Sequence, residues 1–469
     1  MKIKLTILLL TLVLGLSVNS AEIIYPKSGN VNINSPVTFF VGNENPNKEL
    51  FINSEKVNIH SSGGFFQPVD LNIGENIFNI SNGTDTKTYK ITRKVIQSHP
   101  IVSTAQISYE QPNTYLTKEK NVPLRATPYD GGINRLQHLE KNIPLSIIGE
   151  CGSFYKVQLA RDDYAWISKS HVIPTEENIT PAEIASYTYD ETSKKRIYTL
   201  KLNKKVPYIL SETRSYIQKY NFTKLEPIVN GLDLVVYNVS GFPENKFEFH
   251  INRTGKAFGY NTYYKNESEL VIEVKNFPKI DSEKSLSNIK ITIDPGHGGN
   301  EFGAIGCLGD KEKDVNLSIS QKLKEKLENA GAKVVMTRMD DTAVSLTKRV
   351  EISQNNKADV FISIHNNALP DSAAKSNRNG SSVYYFYPQS KELADRILDT
   401  LTCELCMNND KVRQESFAVI RNTESPAVLI ELGYMINPED NAKLIDCDFQ
   451  EKAADAILHG LENYFNEVQ

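Results

Sequence analysis

The sequence has few cysteines and no excess of basic over acidic residues, and each of these features excludes a class of protein. Five cysteines in 469 residues are too few for a disulfide scaffold, and their odd number leaves at least one unpaired within a monomer. Lys and Arg number 53 against 57 Asp and Glu, so no basic excess indicates a nucleic acid partner. After residue 18 no apolar run approaches the roughly 20 residues that a membrane-spanning helix needs. We therefore predict a globular chain.

The N-terminus has the order of a secretory signal peptide. Lys2 and Lys4 precede an apolar run over residues 5–18, and small residues follow it. This run is shorter than a spanning helix, so an uncleaved anchor is the less favoured alternative. We predict a signal peptide over residues 1–21, followed by an exported mature protein that has no membrane span.

The first part of the mature chain, residues 22–95, consists of short apolar runs separated by Asn, Gly and Ser. β-rich composition occurs at residues 37–41, 50–52 and 76–80. A glycine pair followed by Phe65 and Phe66, and then the polar run at 70–76, resembles the end of bacterial immunoglobulin-like modules. That resemblance implies a β-sandwich over residues 22–95.

Two further β-rich stretches come next. In residues 103–175 the predicted strands end in Ala-Trp-Ile around Trp166, which resembles a bacterial SH3-like module. Trp166 is the only tryptophan, and an aromatic residue in an alternating strand favours a core position over a wall-binding surface. Residues 181–278 resemble, more weakly, the AMIN-type modules that precede some cell-wall amidases. A polar linker at 279–287 ends this part of the chain.

The pattern changes at residue 288, where strand-like and helix-like segments begin to alternate. Apolar strands are predicted at 289–293, 333–336, 360–364, 383–386 and 427–430, and helices at 314–330, 346–356, 391–407 and from 437 onwards. Alternation of this kind predicts a mostly parallel sheet flanked by helices. The fold class is therefore a multidomain chain with N-terminal all-β modules and a C-terminal α/β domain at 288–469.

Chemically active residues follow three of these strands. His297 lies in a glycine-rich turn after the first strand, His365 follows Ile364, and Glu431 follows the last strand. Sites form beyond the carboxyl ends of parallel strands, and Glu312, predicted to lie just before a helix, can face the same crevice. Two His and one carboxylate form a catalytic zinc set, with a second carboxylate as proton acceptor. Spacing alone does not decide which Glu has which role.

The motifs in this region follow one another in a recognisable order. They are the segment at 291–299, Glu312-Lys313 with Asn316, Thr337-Arg338 with Asp341 and Arg349, the segment at 361–367, and the segment at 426–434 with Asn437. Together they resemble the zinc-dependent N-acetylmuramoyl-L-alanine amidases of bacterial cell walls over residues 288–467. The resemblance implies one Zn²⁺ held by His297, Glu312 and His365, with Glu431 as catalytic base. Glu301 stands where this family usually has Asp.

The resemblance also implies a function and a location. We expect an exported hydrolase, in the periplasm or cell wall, that cleaves the bond between N-acetylmuramic acid and L-alanine of peptidoglycan during wall remodelling or daughter-cell separation. The alternatives are a wall-binding protein with a degenerate hydrolase domain and a zinc peptidase acting within the stem peptide. The N-terminal modules are expected to place the enzyme at the wall and to contact envelope or division proteins.

Two smaller predictions concern the surroundings of the site. Arg338 and Arg349 are interpreted as structural residues paired with Asp341 or neighbouring acids rather than as substrate ligands. The stretch at 366–381 is short and polar, and its Pro370 and Gly380 oppose a long helix. We therefore predict that no helical plug follows the second His, and that residues 288–469 alone act normally on a small soluble substrate.

Overall fold

The computed structural model describes residues 21–467 except positions 28, 95–105, 161–162, 177–183, 212–215, 224–233, 239–245, 253–256, 279, 281–283 and 377. The predicted signal peptide lies outside the described residues, apart from Ala21. Within them, no helix has both the length and the apolar character needed to cross a membrane. The predicted fold class is confirmed, because N-terminal sheets that are almost entirely antiparallel are followed by a mostly parallel sheet with helices.

The first module is built from two sheets that face each other across an apolar core. Its strands are β1 (Glu22–Tyr25), β2 (Asn30–Ile33), β3 (Val37–Asn43), β4 (Leu50–Ile52), β5 (Glu55–Val57), β6 (Gly64–Asp70), β7 (Gly74–Ser81) and β8 (Thr86–Arg93). One sheet has the order β1-β3-β6 and the other the order β2-β8-β7-β4-β5. Phe40, Phe65 and Phe78 are buried in the core. The three strands predicted here are present as β3, β4 and β7.

The second β-rich stretch forms one antiparallel sheet. Its strands are β9 (Ile107–Thr117), β10 (Val122–Arg125), β11 (Arg135–Leu139), β12 (Pro144–Cys151), β13 (Phe154–Ala160), β14 (Asp163–Ser168) and β15 (Val172–Pro174), in the order β11-β10-β14-β13-β12-β9-β15. Trp166 is 4% exposed, which confirms that it is buried. Its neighbours Ala165 and Ile167 lie in the main apolar cluster of this sheet, so Trp166 points to the opposite face.

The third stretch forms two antiparallel sheets. Its strands are β16 (Ile184–Glu191), β17 (Lys195–Leu202), β18 (Ile209–Ser211), β19 (Tyr216–Thr223), β20 (Leu234–Asn238), β21 (Lys246–Asn252), β22 (Ala257–Tyr264) and β23 (Glu269–Asn276). Their orders are β16-β17-β23-β22 and β18-β19-β21-β20. Leu200 and Ile272 of the first of these sheets share one core with Leu124 and Ile147 of the preceding stretch.

The C-terminal domain is a central sheet covered by helices. Its elements are β24 (Lys290–Pro295), α1 (Glu312–Asn329), β25 (Lys333–Met336), α2 (Leu346–Asn355), β26 (Val360–Asn367), β27 (Ser381–Tyr385), α3 (Lys391–Glu404), β28 (Asn409–Gln414), β29 (Ala427–Tyr434), α4 (Pro438–Leu444) and α5 (Cys447–Glu467). The sheet order is β25-β24-β26-β29-β27-β28. Strands β25, β24, β26 and β29 are mutually parallel, whereas β27 runs antiparallel to β29.

Two details of this domain differ from the sequence-based expectation. Helix α1 begins at Glu312 and not at Asp314, so Glu312 lies in the first helical turn rather than in the preceding loop. Strand β28 was not predicted, because its sequence Asn-Asp-Lys-Val-Arg-Gln lacks apolar alternation. It adds to the edge of the sheet by parallel pairing with β27.

A buried ion pair fixes the end of β24. The Arg349 guanidinium donates to Asp294 Oδ1 at 2.7 Å, and the two side chains are 3% and 1% exposed. It also donates to the carbonyls of Pro295 and His297, both at 2.8 Å. The interpretation of Arg349 as a structural residue is therefore confirmed. Arg338 donates instead to backbone carbonyls, among them those of Pro295 and Gly296. Asp341 forms an ion pair with Lys313, whose Nζ lies 2.5 Å from Asp341 Oδ2.

We expect Arg349→Met to destabilise the C-terminal sheet by about 3–5 kcal/mol, because it leaves Asp294 buried without its cation. Native-state hydrogen exchange of the β24 and β26 amides measures this change. Lys348→Ala is the matched control, since the adjacent Lys348–Glu351 pair is 56% and 50% exposed and should change stability by less than about 1 kcal/mol. Equal effects of the two variants would contradict the assignment.

Candidate metal centre

The turn after β24 brings His297 close to the end of β26. His297 has φ +60°, and Gly298 and Gly299 also have positive φ values. Gly296 lies so close to His365 that a Cβ at this position would be 2.2 Å from the imidazole ring. Only glycine fits at position 296, and the tight turn lets the two imidazoles approach with ring centroids 4.9 Å apart.

Glu312 lies between the two imidazoles. Its Oε2 is 3.2 Å from His297 Nε2, and its Oε1 is 2.9 Å from His365 Nδ1. One ligand atom from each of these three residues lies within 4.8 Å of the others, and Glu312 is buried while both His are partly exposed. The three predicted ligands are therefore brought together from the turn after β24, from α1 and from β26, and the two His are partly exposed to solvent.

Backbone and amide donors hold the Glu312 carboxylate in place. The Ala304 N–H donates to Oε2 at 2.8 Å, and the Asn366 N–H donates to Oε1 at 3.1 Å. The Asn316 side chain donates to Oε1 as well, at 3.3 Å. Burial alone would raise the pKa of Glu312, but hydrogen bonds and positive charge from His297 and His365 lower it below its ordinary range. Glu312 is thus held as a carboxylate.

Glu431 lies beside this triad on the neighbouring strand. It pairs with His365 across β26 and β29, and with Ser382 across β27. Its Oε2 is buried and makes no hydrogen bond to any described residue. Burial raises the pKa of Glu431 well above its ordinary value, and the negative charge of Glu312 raises it further. The structure therefore distinguishes the two glutamates, since Glu312 lies between the imidazoles and Glu431 lies to one side.

The donor set fits a divalent metal ion such as zinc. Two imidazoles and one carboxylate leave a fourth position for water, which is the composition of catalytic zinc sites. The cradle around them is also shaped by glycine, because a Cβ on Gly303 would lie 2.3 Å from Glu312 Oε2 and 2.7 Å from His297 Cδ2. Glu431 Oε2 is buried without a hydrogen-bond partner among the described residues, and a water molecule in the site would supply one.

Three other residues noted in the sequence, Asn366, Cys307 and Glu301, make contacts within the protein. Asn366 donates from its side chain to Asn316 Oδ1 at 2.7 Å, which links the His365 strand to α1. Cys307 is buried and donates from Sγ to the Ile436 carbonyl at 3.2 Å, so its thiol is engaged elsewhere. Glu301 is exposed, and its backbone pairs with Gly298. Neither the position of Gly303 beside the ligands nor the hydrogen bond from Asn316 to Glu312 was predicted. A single glycine in an irregular loop does not indicate which side chains lie beside it.

The comparisons with known proteins agree with this geometry. Residues 291–463 match the family described as N-acetylmuramoyl-L-alanine amidase. The sequence is 41% identical over 186 residues to a probable cell wall amidase LytH of Staphylococcus saprophyticus, covering 39% of this chain and 61% of the relative. The chain thus spans less than two thirds of the length of that curated relative.

Two solved structures are similar over nearly their whole length. AmiC2 of Nostoc punctiforme is 37% identical, with 38% of this chain and 97% of that chain covered and a TM-score of 0.36. The catalytic domain of CwlV from Bacillus (Paenibacillus) polymyxa is 36% identical, with 39% and 99% covered and a TM-score of 0.36. Residues 291–463 thus match the N-acetylmuramoyl-L-alanine amidase family, and these similarities concern the C-terminal domain of the chain.

We expect Gly303→Ala to weaken metal binding by about 10–100-fold, because the new methyl group displaces the Glu312 carboxylate. Gly309→Ala is the control, since Gly309 also has positive φ but meets only Ile24 Cδ1, at 3.8 Å. Gly303 has φ +69° and Gly309 has φ +89°, so both variants add backbone strain, but only the first places a methyl group against the ligands. Competition with a zinc chelator measures the two affinities, and equal affinities would contradict the cradle role of Gly303.

Proposed function

We propose that this protein is a zinc-dependent hydrolase that cleaves the amide bond between N-acetylmuramic acid and L-alanine in peptidoglycan. The observation that carries the proposal is the His297–Glu312–His365 triad with Glu431 beside it on the adjacent strand. The match of residues 291–463 to the N-acetylmuramoyl-L-alanine amidase family supports the reaction and the substrate. The three triad residues are the proposed zinc ligands, and Glu431 is the proposed catalytic base.

The proposed roles follow from the chemistry of each group. Zinc in this site would lower the pKa of a water molecule to about 7 and polarise the substrate carbonyl. The two histidines and the ionised Glu312 supply the donor atoms. Glu431 takes the proton from the attacking water and gives it to the nitrogen of the leaving L-alanine. Because Glu431 Oε2 is buried and has no hydrogen-bond partner among the described residues, this oxygen is available for the transfer.

The two alternative functions are less well supported. A wall-binding protein with a degenerate domain has no need of all four site residues, yet all four are present and adjacent. A zinc peptidase acting within the stem peptide is not favoured by the match of residues 291–463 to the N-acetylmuramoyl-L-alanine amidase family. A substrate in the wall implies action outside the cytoplasm, in agreement with the signal peptide predicted at residues 1–21. The proposed partners of the β modules are the wall itself and envelope or division proteins.

Digestion of purified sacculi followed by mass spectrometry tests the reaction. An amidase releases intact stem peptides that begin with L-alanine, and it leaves muramic acid with a free lactyl carboxyl group. Muramic acid that keeps L-alanine would show a peptidase instead. No released peptide, from a preparation that contains stoichiometric zinc, would support the degenerate domain.

We expect His297→Ala and His365→Ala each to lose tight zinc binding, because two remaining protein ligands hold the ion poorly. Metal analysis of the folded variants after dialysis measures the zinc retained per chain. His459→Ala is the control, since His459 lies on α5 and is exposed beside Glu404. Full zinc occupancy in both site variants would refute the ligand assignment.

We expect Glu431→Gln to keep zinc and the fold but to lower the turnover rate by about 10²–10⁴-fold, because the amide keeps the shape and removes the proton acceptor. Steady-state rates on a soluble muropeptide, with zinc content measured in parallel, test this. Glu301→Gln, an exposed carboxylate in the neighbouring loop, should leave both quantities unchanged. Loss of zinc in Glu431→Gln would show that Glu431 is a ligand.

A further inference from the structure

The first β module packs directly against the C-terminal domain, and strand β3 is buried on both faces. Phe40 points into the core of the sandwich. Its neighbours Phe39 and Val41 point the other way, into a second apolar cluster that we call the docking cluster. The buried members of this cluster are Phe39, Val41, Cys307, Leu369, Ala374, Tyr434 and Ile436. Two of them belong to the first module and five to the C-terminal domain.

The five residues of the C-terminal domain come from three segments, and each segment adjoins the metal centre. Cys307 lies in the loop between His297 and Glu312. Leu369 and Ala374 lie in the segment that follows His365, and Tyr434 and Ile436 follow Glu431. The outer face of the β1-β3-β6 sheet therefore packs on three segments that adjoin the site.

Polar contacts fix the segment after His365 to the same sheet. Asp371 accepts a hydrogen bond from Thr38 Oγ1 at 2.6 Å. The Tyr25 hydroxyl donates to both of its carboxylate oxygens, at 3.0 and 3.1 Å. Thr38 is 0% exposed, whereas Tyr25 and Asp371 are partly exposed, so this contact is partly shielded from water. Partial shielding strengthens hydrogen bonds to a charged group. Residues Asp371–Ser376 form a short 3₁₀ helix that packs on β3 and β6.

The first β module and the C-terminal domain also approach each other closely at other points of this interface. A Cβ at Gly64 would lie 2.9 Å from Cys307 Cβ, so the backbone of β6 approaches the metal loop as nearly as glycine allows. The Asn43 amide donates to the Cys307 carbonyl at 3.3 Å. An exposed ion pair, Lys375–Asp70, lies at the edge of the same interface and contributes little.

We propose that the outer face of the β1-β3-β6 sheet is part of the catalytic unit, and that Tyr25, Thr38 and Asp371 are positioning residues for the metal site. They hold the segment after His365 in place, and the apolar residues of the docking cluster hold the other two loops. The effect on turnover depends on the proposed function, whereas the effects on loop order and zinc retention do not. The proposal departs from the expectation that residues 288–469 alone act normally, because that fragment would expose the docking cluster.

The test uses the full mature chain with the double substitution Tyr25→Phe and Thr38→Val, which removes both donors to Asp371 and keeps the side-chain shapes. The control is Thr88→Val with Tyr89→Phe, the same chemical change on β8 in the other sheet of the module. We expect only the docking variant to show faster hydrogen exchange at residues 368–376. It should also release zinc to a chelator about 10-fold faster and lower kcat with little change in KM.

Two further measurements separate positioning from general instability. Amides of β7 and β8 should keep their protection in both variants, which shows that the sandwich is intact. Asp371→Asn, made on the C-terminal side of the interface, should reproduce the faster exchange and zinc release if the docking variant folds poorly. Exchange at 368–376 and zinc release equal to those of the control would overturn the proposal. A chain that holds zinc but cleaves no amide would overturn the proposed function and leave this proposal standing.

Discussion

A single buried carboxylate, that of Glu312, determines the arrangement around the metal centre. It lies within 3.2 Å of His297 and 2.9 Å of His365, and two backbone N–H groups and an Asn amide hold it as an anion. An ionised carboxylate at this depth is stable only when its partners are present. The first turn of α1, the β24 turn and the end of β26 must therefore be brought together when the domain folds.

Other contacts, some beside the ligands and some farther from them, support this arrangement of Glu312, His297 and His365. The buried Arg349–Asp294 ion pair holds the backbone of the turn after β24 in place. Glycine at positions 296 and 303 leaves the space into which the ligand side chains fit. Beyond them, the outer face of the β1-β3-β6 sheet covers the three loops that adjoin the site. The first β module is thus joined to the C-terminal domain by side-chain packing as well as by the intervening chain.

Much of the C-terminal fold and site could be predicted from the sequence, for physical reasons. Buried parallel strands are continuous apolar runs, and His365 and Glu431 stand at the ends of two such runs. The polar edge strand β28 has no such pattern and was missed. The role of Gly303 depends on a distance between loops, which no local pattern contains. Strand β3 was predicted from its apolar run, but the sequence did not indicate that the C-terminal domain covers its second face.

Anomalous diffraction at the zinc edge, from crystals of the full mature chain, would locate the metal ion and its ligands. We expect one zinc peak within about 2.0–2.2 Å of a nitrogen of His297, a nitrogen of His365 and an oxygen of Glu312. Glu431 should lie outside this coordination shell, with its carboxylate directed toward the metal-bound water. A peak coordinated by Glu431 in place of Glu312, or no peak at the triad in zinc-saturated crystals, would show that His297, Glu312 and His365 are not the ligand set.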